Sequence, residues 1–133
     1  MEINAIKIDQ ITEEIIDSIL EFKLIHDGGL FLNLYTEEQC VQIMYSRFIS
    51  YRFIFESYSM DYLDYNKLSD DAILYSFDNS TYLEEIRKIS DNFIIDNGGN
   101  KIKHYAILLK DEIFEIITDV HPQIIVSTLK NHE

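Results

Sequence analysis

Apolar residues along the chain come in two arrangements, some recurring every three or four positions and some unbroken. The most pronounced unbroken pattern is residues 101–118, KIKHYAILLKDEIFEIIT. Residues 105–109 are apolar throughout, and 113–117 are interrupted only by Glu115. Two such segments across a short polar turn predict a β-hairpin, here with its turn at Asp111-Glu112. Neither strand has a fully polar side, so the hairpin should be covered on both faces or nearly so. Everything before residue 100 is then material that packs onto it.

The remaining pattern predicts about three helices and several strands. Residues 2–8 alternate, with Ile6 and Ile8 on one side, as a short edge strand does. From Thr12, a stripe of Ile15, Ile16, Ile19, Leu20 and Phe22 opposes Glu13, Glu14, Asp17 and Glu21. This is an amphipathic helix pattern, capped by Thr12 and stopped by Gly28-Gly29. Residues 30–35, LFLNLY, suit a buried strand. Thr36-Glu37-Glu38-Gln39 has capping-box spacing and opens a second helix over 36–50, with Val41, Met44 and Phe48 inward. YRFIF at 51–55 fits helix and strand equally. Residues 56–71 keep no period and form a connection, and 72–77 suit a strand. Thr81-Tyr82-Leu83-Glu84 is another capping box, opening a helix with Ile86, Ile89 and Phe93 buried and closing at Asn97-Gly98-Gly99. After the hairpin, Pro122 marks a turn and 123–127 a last strand.

These elements make one α+β domain over residues 1–133, with about three helices on a mostly antiparallel sheet containing the C-terminal hairpin. A chain of 133 residues that is 47% hydrophobic can fill a single core, and no Pro-, Ser- or Gly-rich linker divides it.

Charge changes the picture. The 24 acids outnumber the 11 Lys and Arg, for a formal charge of -13. Such a field repels nucleic acid and anionic membranes and attracts basic protein surfaces. Cys40 is the one cysteine, so no internal disulfide forms, which fits a reducing compartment. The N-terminus lacks a basic segment followed by an apolar run, and no window holds 18 uninterrupted apolar residues. A soluble, cytoplasmic protein is expected.

Candidate chemistry is sparse. Cys40 has no histidine at pairing distance along the chain and is expected to be a buried, inert thiol. His26, His104, His121 and His132 are scattered, without metal-ligand spacing. Asp61, Asp64, Asp70 and Asp71 lack the glycine and alternate-residue order of a calcium loop. Glu21-Phe22-Lys23 matches the E-x-K end of a nuclease signature but falls within a helix pattern. Ser127 and Lys130 have Ser-x-x-Lys spacing in a polar tail. Both Gly-Gly pairs follow helices rather than precede them, so no phosphate cradle is indicated. No catalytic set, metal or cofactor is expected. With the turn at Asp111-Glu112, His104 faces Asp119 and Glu115 lies diagonal to Lys110, and the His-Asp pair has no nucleophile beside it.

What remains is the acidic, aromatic stretch between Phe55 and Tyr75. Glu56, Tyr58, Asp61, Tyr62, Asp64, Tyr65, Asp70 and Asp71 combine tyrosine contact area with carboxylates that would pair with Lys or Arg of a partner. The rival patch is Glu13, Glu14, Asp17 and Glu21. In size, charge and lack of catalytic motifs the chain resembles the small acidic proteins with which bacteria and phages neutralise nucleic-acid-handling enzymes, such as toxin-immunity and anti-defence proteins. That resemblance matches no individual positions. It implies a non-enzymatic inhibitor that occupies the cationic surface of a basic partner, a nuclease for instance, in place of nucleic acid. Two alternatives stay open: a small enzyme or ligand-binding domain with a pocket near the hairpin, using His104 and Asp119, and a subunit of a homo-oligomer, such as a homodimer formed through an uncovered hairpin face.

Overall fold

The computed structural model describes residues 3–6, 19–55, 73–90, 102–109 and 112–129, the first of these as backbone alone. Nine strands and one helix follow in the order β1 (Ile3–Ile6), β2 (Glu21–His26), β3 (Leu30–Tyr35), β4 (Gln39–Tyr45), β5 (Ser50–Phe55), β6 (Leu74–Phe77), α1 (Thr81–Ile89), β7 (Lys103–Leu108), β8 (Glu112–Thr118) and β9 (Gln123–Thr128). The strands form two sheets, one ordered β1-β6-β7-β8-β5 and one ordered β2-β3-β4-β9. Every pairing is antiparallel.

This architecture corrects the expected α+β class. The protein is mostly β, two antiparallel sheets with a single short helix among the described residues, not about three helices on one sheet. Residues 21–26 are strand: Phe22 and Leu24 turn inward, while Glu21, Lys23 and Ile25 are exposed. The apolar spacing there satisfies a period of two as well as one of 3.6, and packing favours the former. Gly28-Gly29 accordingly turns a β2–β3 hairpin rather than stopping a helix. Gly28 has φ 65°, the left-handed conformation that glycine adopts without strain. The start of that predicted helix, with its cap Thr12, lies outside the described residues.

The predicted helix over 36–50 is instead β4 and the start of β5. Thr36 does what a cap does, its hydroxyl accepting from the Gln39 N–H at 3.0 Å. Here the same bond closes a two-residue hairpin turn at Glu37-Glu38, with the Thr36 N–H donating to the Gln39 carbonyl at 2.9 Å. Val41, Ile43 and Tyr45 then point inward at alternate positions, and Met44 faces out.

The two sheets pack face to face. Leu30, Leu32, Leu34, Val41, Ile43 and Tyr45 meet Leu74, Tyr105, Ile107, Phe114 and Ile116. The other face of the larger sheet is buried as well. Tyr75, Phe77, Ala106 and Ile113 form one cluster there, and Tyr82 and Leu83 of α1 close over Ile102 and Ile117. Strands β7 and β8 are therefore buried on both sides, as their nearly continuous apolar runs require. Their register differs from the expected one. Leu109 pairs with Glu112 around residues 110–111, so His104 faces Ile117, not Asp119.

Asp119 serves elsewhere. Segments 46–49 and 119–122 carry the chain between the sheets at one end of the sandwich. Arg47 and Asp119 join these two crossovers by a bidentate pair, both contacts at 2.7 Å. The Thr118 hydroxyl adds a bond to the Arg47 carbonyl at 2.8 Å. Helix α1 begins one residue earlier than its predicted box, capped by Ser80. Its inward residues are Tyr82 and Leu83, and Ile89, expected in the buried face, is 80% exposed. The third residue of that expected face, Phe93, lies outside the described residues. No helix among the described residues is long and apolar enough to cross a membrane.

Candidate functional site

The polar chemistry of the described residues converges where α1 meets the larger sheet. Ser80 caps the helix, its Oγ accepting from the Leu83 N–H at 3.1 Å. The same Oγ lies 2.7 Å from His104 Nδ1. On the other side of the ring, His104 Nε2 lies 2.6 Å from Glu115 Oε2, a diagonal contact across the β7–β8 ladder. The second carboxylate oxygen accepts from Arg52 Nε at 2.9 Å, Arg52 being directly opposite Glu115 on β5. Arg52 stacks over the Tyr82 ring at 3.9 Å and reaches Glu85 at 3.9 Å. Tyr82 ends the chain of contacts at Ser50, 2.6 Å from hydroxyl to hydroxyl. Burial raises the Tyr82 phenol above its usual range, an effect that the Ser50 bond and the Arg52 charge partly offset.

Ser80, His104 and Glu115 present the residue types of an acyl-transfer triad, yet the geometry serves another purpose. A nucleophilic oxygen must reach a substrate carbonyl. Ser80 Oγ is buried, and it accepts the bond that starts α1. His104 and Glu115 are fully buried as well. With the ring proton on Nε2, Ser80 donates to Nδ1 and the imidazole N–H faces the carboxylate, so each group stabilises the next. The arrangement fixes the helix to the sheet through charge and hydrogen bonds. Glu115 and Arg52 were its legible signal: each interrupts an apolar or aromatic run, and a buried carboxylate needs a cation.

The other candidates fall as follows. The pairing of His104 with Asp119 is overturned by the β7–β8 register, Asp119 being bound by Arg47. Lys110, expected diagonal to Glu115, lies outside the described residues. Cys40 is half-buried on the outward face of β4, not fully buried. Burial pushes its thiol up, and a bond from Tyr35 across the ladder partly offsets this. Glu21-Phe22-Lys23 does lie on a strand, with both charged residues on one outward face. Its neighbours there are Tyr35, Asn33 and Gln42 rather than further acids, and Lys23 sits 5.7 Å from the centre of the Tyr35 ring. No group of three potential metal ligands occurs among the described residues.

Of the expected partner-binding residues, Glu56, Tyr58, Asp61, Tyr62, Asp64, Tyr65, Asp70 and Asp71 lie outside the described residues, as do Glu13, Glu14 and Asp17. Glu21 is exposed at the start of β2. The described surface still has a definite electrostatic character. Arg47, Arg52, Arg87 and Lys103 each engage a carboxylate, of Asp119, Glu115, Glu84 and Asp78 respectively. Glu21, Asp27, Glu37, Glu38 and Glu112 make no ion pair among the described residues. Comparison with protein-family models, with curated proteins and with solved structures finds no match.

Proposed function

We infer that the protein is a non-enzymatic acidic binding protein of the toxin-immunity or anti-defence kind. It works in the cytoplasm by occupying the cationic surface of a basic protein, a nuclease or another nucleic-acid-handling enzyme. The observation that carries this reading is the internal neutralisation of its cations. Four of the six Lys and Arg in the described residues are tied to carboxylates of the same chain, so the field left to act outward is negative. Fourteen of the 24 acids but five of the 11 bases belong to the other segments, which include the tyrosine-rich stretch 56–71. Such a field speeds association with a basic surface and selects against acidic ones.

The test is affinity capture from the native cell with the intact chain as bait. A basic protein should be retained at low ionic strength and released as the Debye length falls from about 30 Å to about 8 Å. Reversing the charges of Asp61, Asp64, Asp70 and Asp71 should slow its association. A retained partner that is acidic, or one that survives added salt unchanged, overturns the proposal, and so does retention of nothing.

A further inference from the structure

Three aspartates lie among the described residues, and two of them are held. Asp119 is bound by Arg47 and followed by Val120, whose N–H donates to the Thr118 hydroxyl at 3.3 Å. Asp78 pairs with Lys103 at 3.4 Å and is followed by Asn79 rather than glycine. Asp27 differs on each count. It stands exposed in the β2–β3 turn, makes no ion pair among the described residues and is followed by Gly28. Its own N–H donates to the Gly29 carbonyl at 3.0 Å, whereas the Gly28 N–H makes no hydrogen bond among the described residues. Gly28 is exposed too, at φ 65°, and a Cβ built there would meet nothing within 4 Å. An electrophilic carboxyl carbon, an amide nitrogen held by no described residue and open space are thus joined in one dipeptide.

We propose that Asp27-Gly28 is a self-modification site, at which isoaspartate forms in the folded protein. The Gly28 nitrogen attacks Cγ of Asp27, and the new N–Cγ bond closes a succinimide ring as the carboxyl OH leaves with the amide proton as water. Solvent water then adds to a ring carbonyl. Addition at the α-carbonyl of Asp27 breaks its bond to the Gly28 nitrogen, so the main chain afterwards runs through the side-chain carbonyl and the α-carboxylate is free. One water leaves and one returns, nothing is oxidised or reduced, and the mass is unchanged. Glycine favours the step because no Cβ hinders the approach of the nitrogen, and exposure of the turn supplies the water. The product lengthens the β2–β3 turn by one methylene and presents a free α-carboxylate, the group that repair methyltransferases esterify with S-adenosylmethionine. The inference stands apart from the proposed partner.

The experiment keeps the intact chain folded at physiological temperature and neutral pH for several weeks, then locates isoaspartate by tryptic digestion and electron-transfer fragmentation. The tryptic peptide 24–47 contains no other aspartate, so the assignment is unambiguous. Isoaspartate should accumulate at Asp27 faster than at Asp78 or Asp119. Gly28→Ala, whose methyl hinders the nitrogen, should suppress it. Asp27→Glu, which would have to close a larger ring, should abolish it while leaving the circular dichroism unchanged. Formation at Asp27 in urea but not in the folded chain overturns the proposal, because the turn would then protect the dipeptide. Formation in neither state overturns it as well, as do equal rates at the three aspartates or an undiminished rate in Gly28→Ala.

Discussion

Glu115 and Arg52 each interrupt an apolar or aromatic run, residues 113–117 and 51–55, and each is the reason the other is there. Removing one partner strands a charge in a place built for a pair, which costs about 3–5 kcal/mol when the site is buried. Glu115→Leu should therefore lower the urea midpoint markedly, more than any change at an exposed acid such as Glu37. Replacing both groups together, Arg52→Met with Glu115→Leu, should recover most of that loss, leaving the deficit at His104, which keeps Ser80 but loses its carboxylate. Denaturation of the four proteins in this double-mutant cycle checks both statements. Tyr45 gives a second case. Its hydroxyl is buried with no hydrogen-bond partner among the described residues, and burial, then the neighbouring Tyr105, holds the phenol well above its usual range. A folded chain keeps that proton at pH values where unfolded tyrosine has lost it. The unfolded state then binds fewer protons, so stability is full below about pH 10 and falls as pH rises further. Tyr45→Phe should leave stability at neutral pH unchanged or about 1 kcal/mol higher and flatten the alkaline decline, as melting temperatures measured from pH 8 to pH 11 will report.

At the scale of elements, one local bond leads to two outcomes. Thr36 and Ser80 each accept from the backbone N–H three residues on. After Thr36 come apolar residues at alternate positions and a hairpin forms. After Ser80 the chain coils into α1 and presents Tyr82 and Leu83 to the sheet. Ser80→Ala should cost about 1–2 kcal/mol, since it removes the cap and the partner of His104 Nδ1 together. Gly28→Ala should cost about 1 kcal/mol through backbone strain alone, because a methyl there meets nothing within 4 Å. Gly28→Asn, which tolerates the left-handed conformation, should cost less, and thermal melts of the two variants make the comparison. Strands β3, β6 and β9 and the C-terminal hairpin were legible because short, mostly apolar runs admit few alternatives. β2 and β4 were not, since Phe22 and Leu24, or Val41 and Ile43, can be read with helical neighbours just as well. Only the facing sheet decides. The hairpin register failed by moving the turn one position, which was enough to replace Ile117 by Asp119 opposite His104. The cross-sheet stack of Phe22 on Phe53, with ring centres 5.5 Å apart, is hidden for the same reason: the pattern alone places Phe22 in a helix.

For the whole molecule, the net charge of -13 acts on the fold and on its partner in opposite directions. Self-repulsion among carboxylates opposes the compact state, so screening should stabilise it. Attraction to a basic surface is weakened by the same ions. Raising NaCl from about 0.01 M to about 0.15 M shortens the Debye length from about 30 Å to about 8 Å, a range in which screening outweighs other salt effects. The melting temperature should rise by a few degrees over that interval, while the association rate with the basic partner falls. The bidentate Arg47–Asp119 contact works against the first trend, being an exposed attraction that salt weakens, but a single exposed pair adds little to stability. A melting temperature that fell with salt would mean that attractive pairs such as this one outweigh repulsion across the chain. The excess acids would then be neutralised within the fold, and a cationic surface would have little to answer.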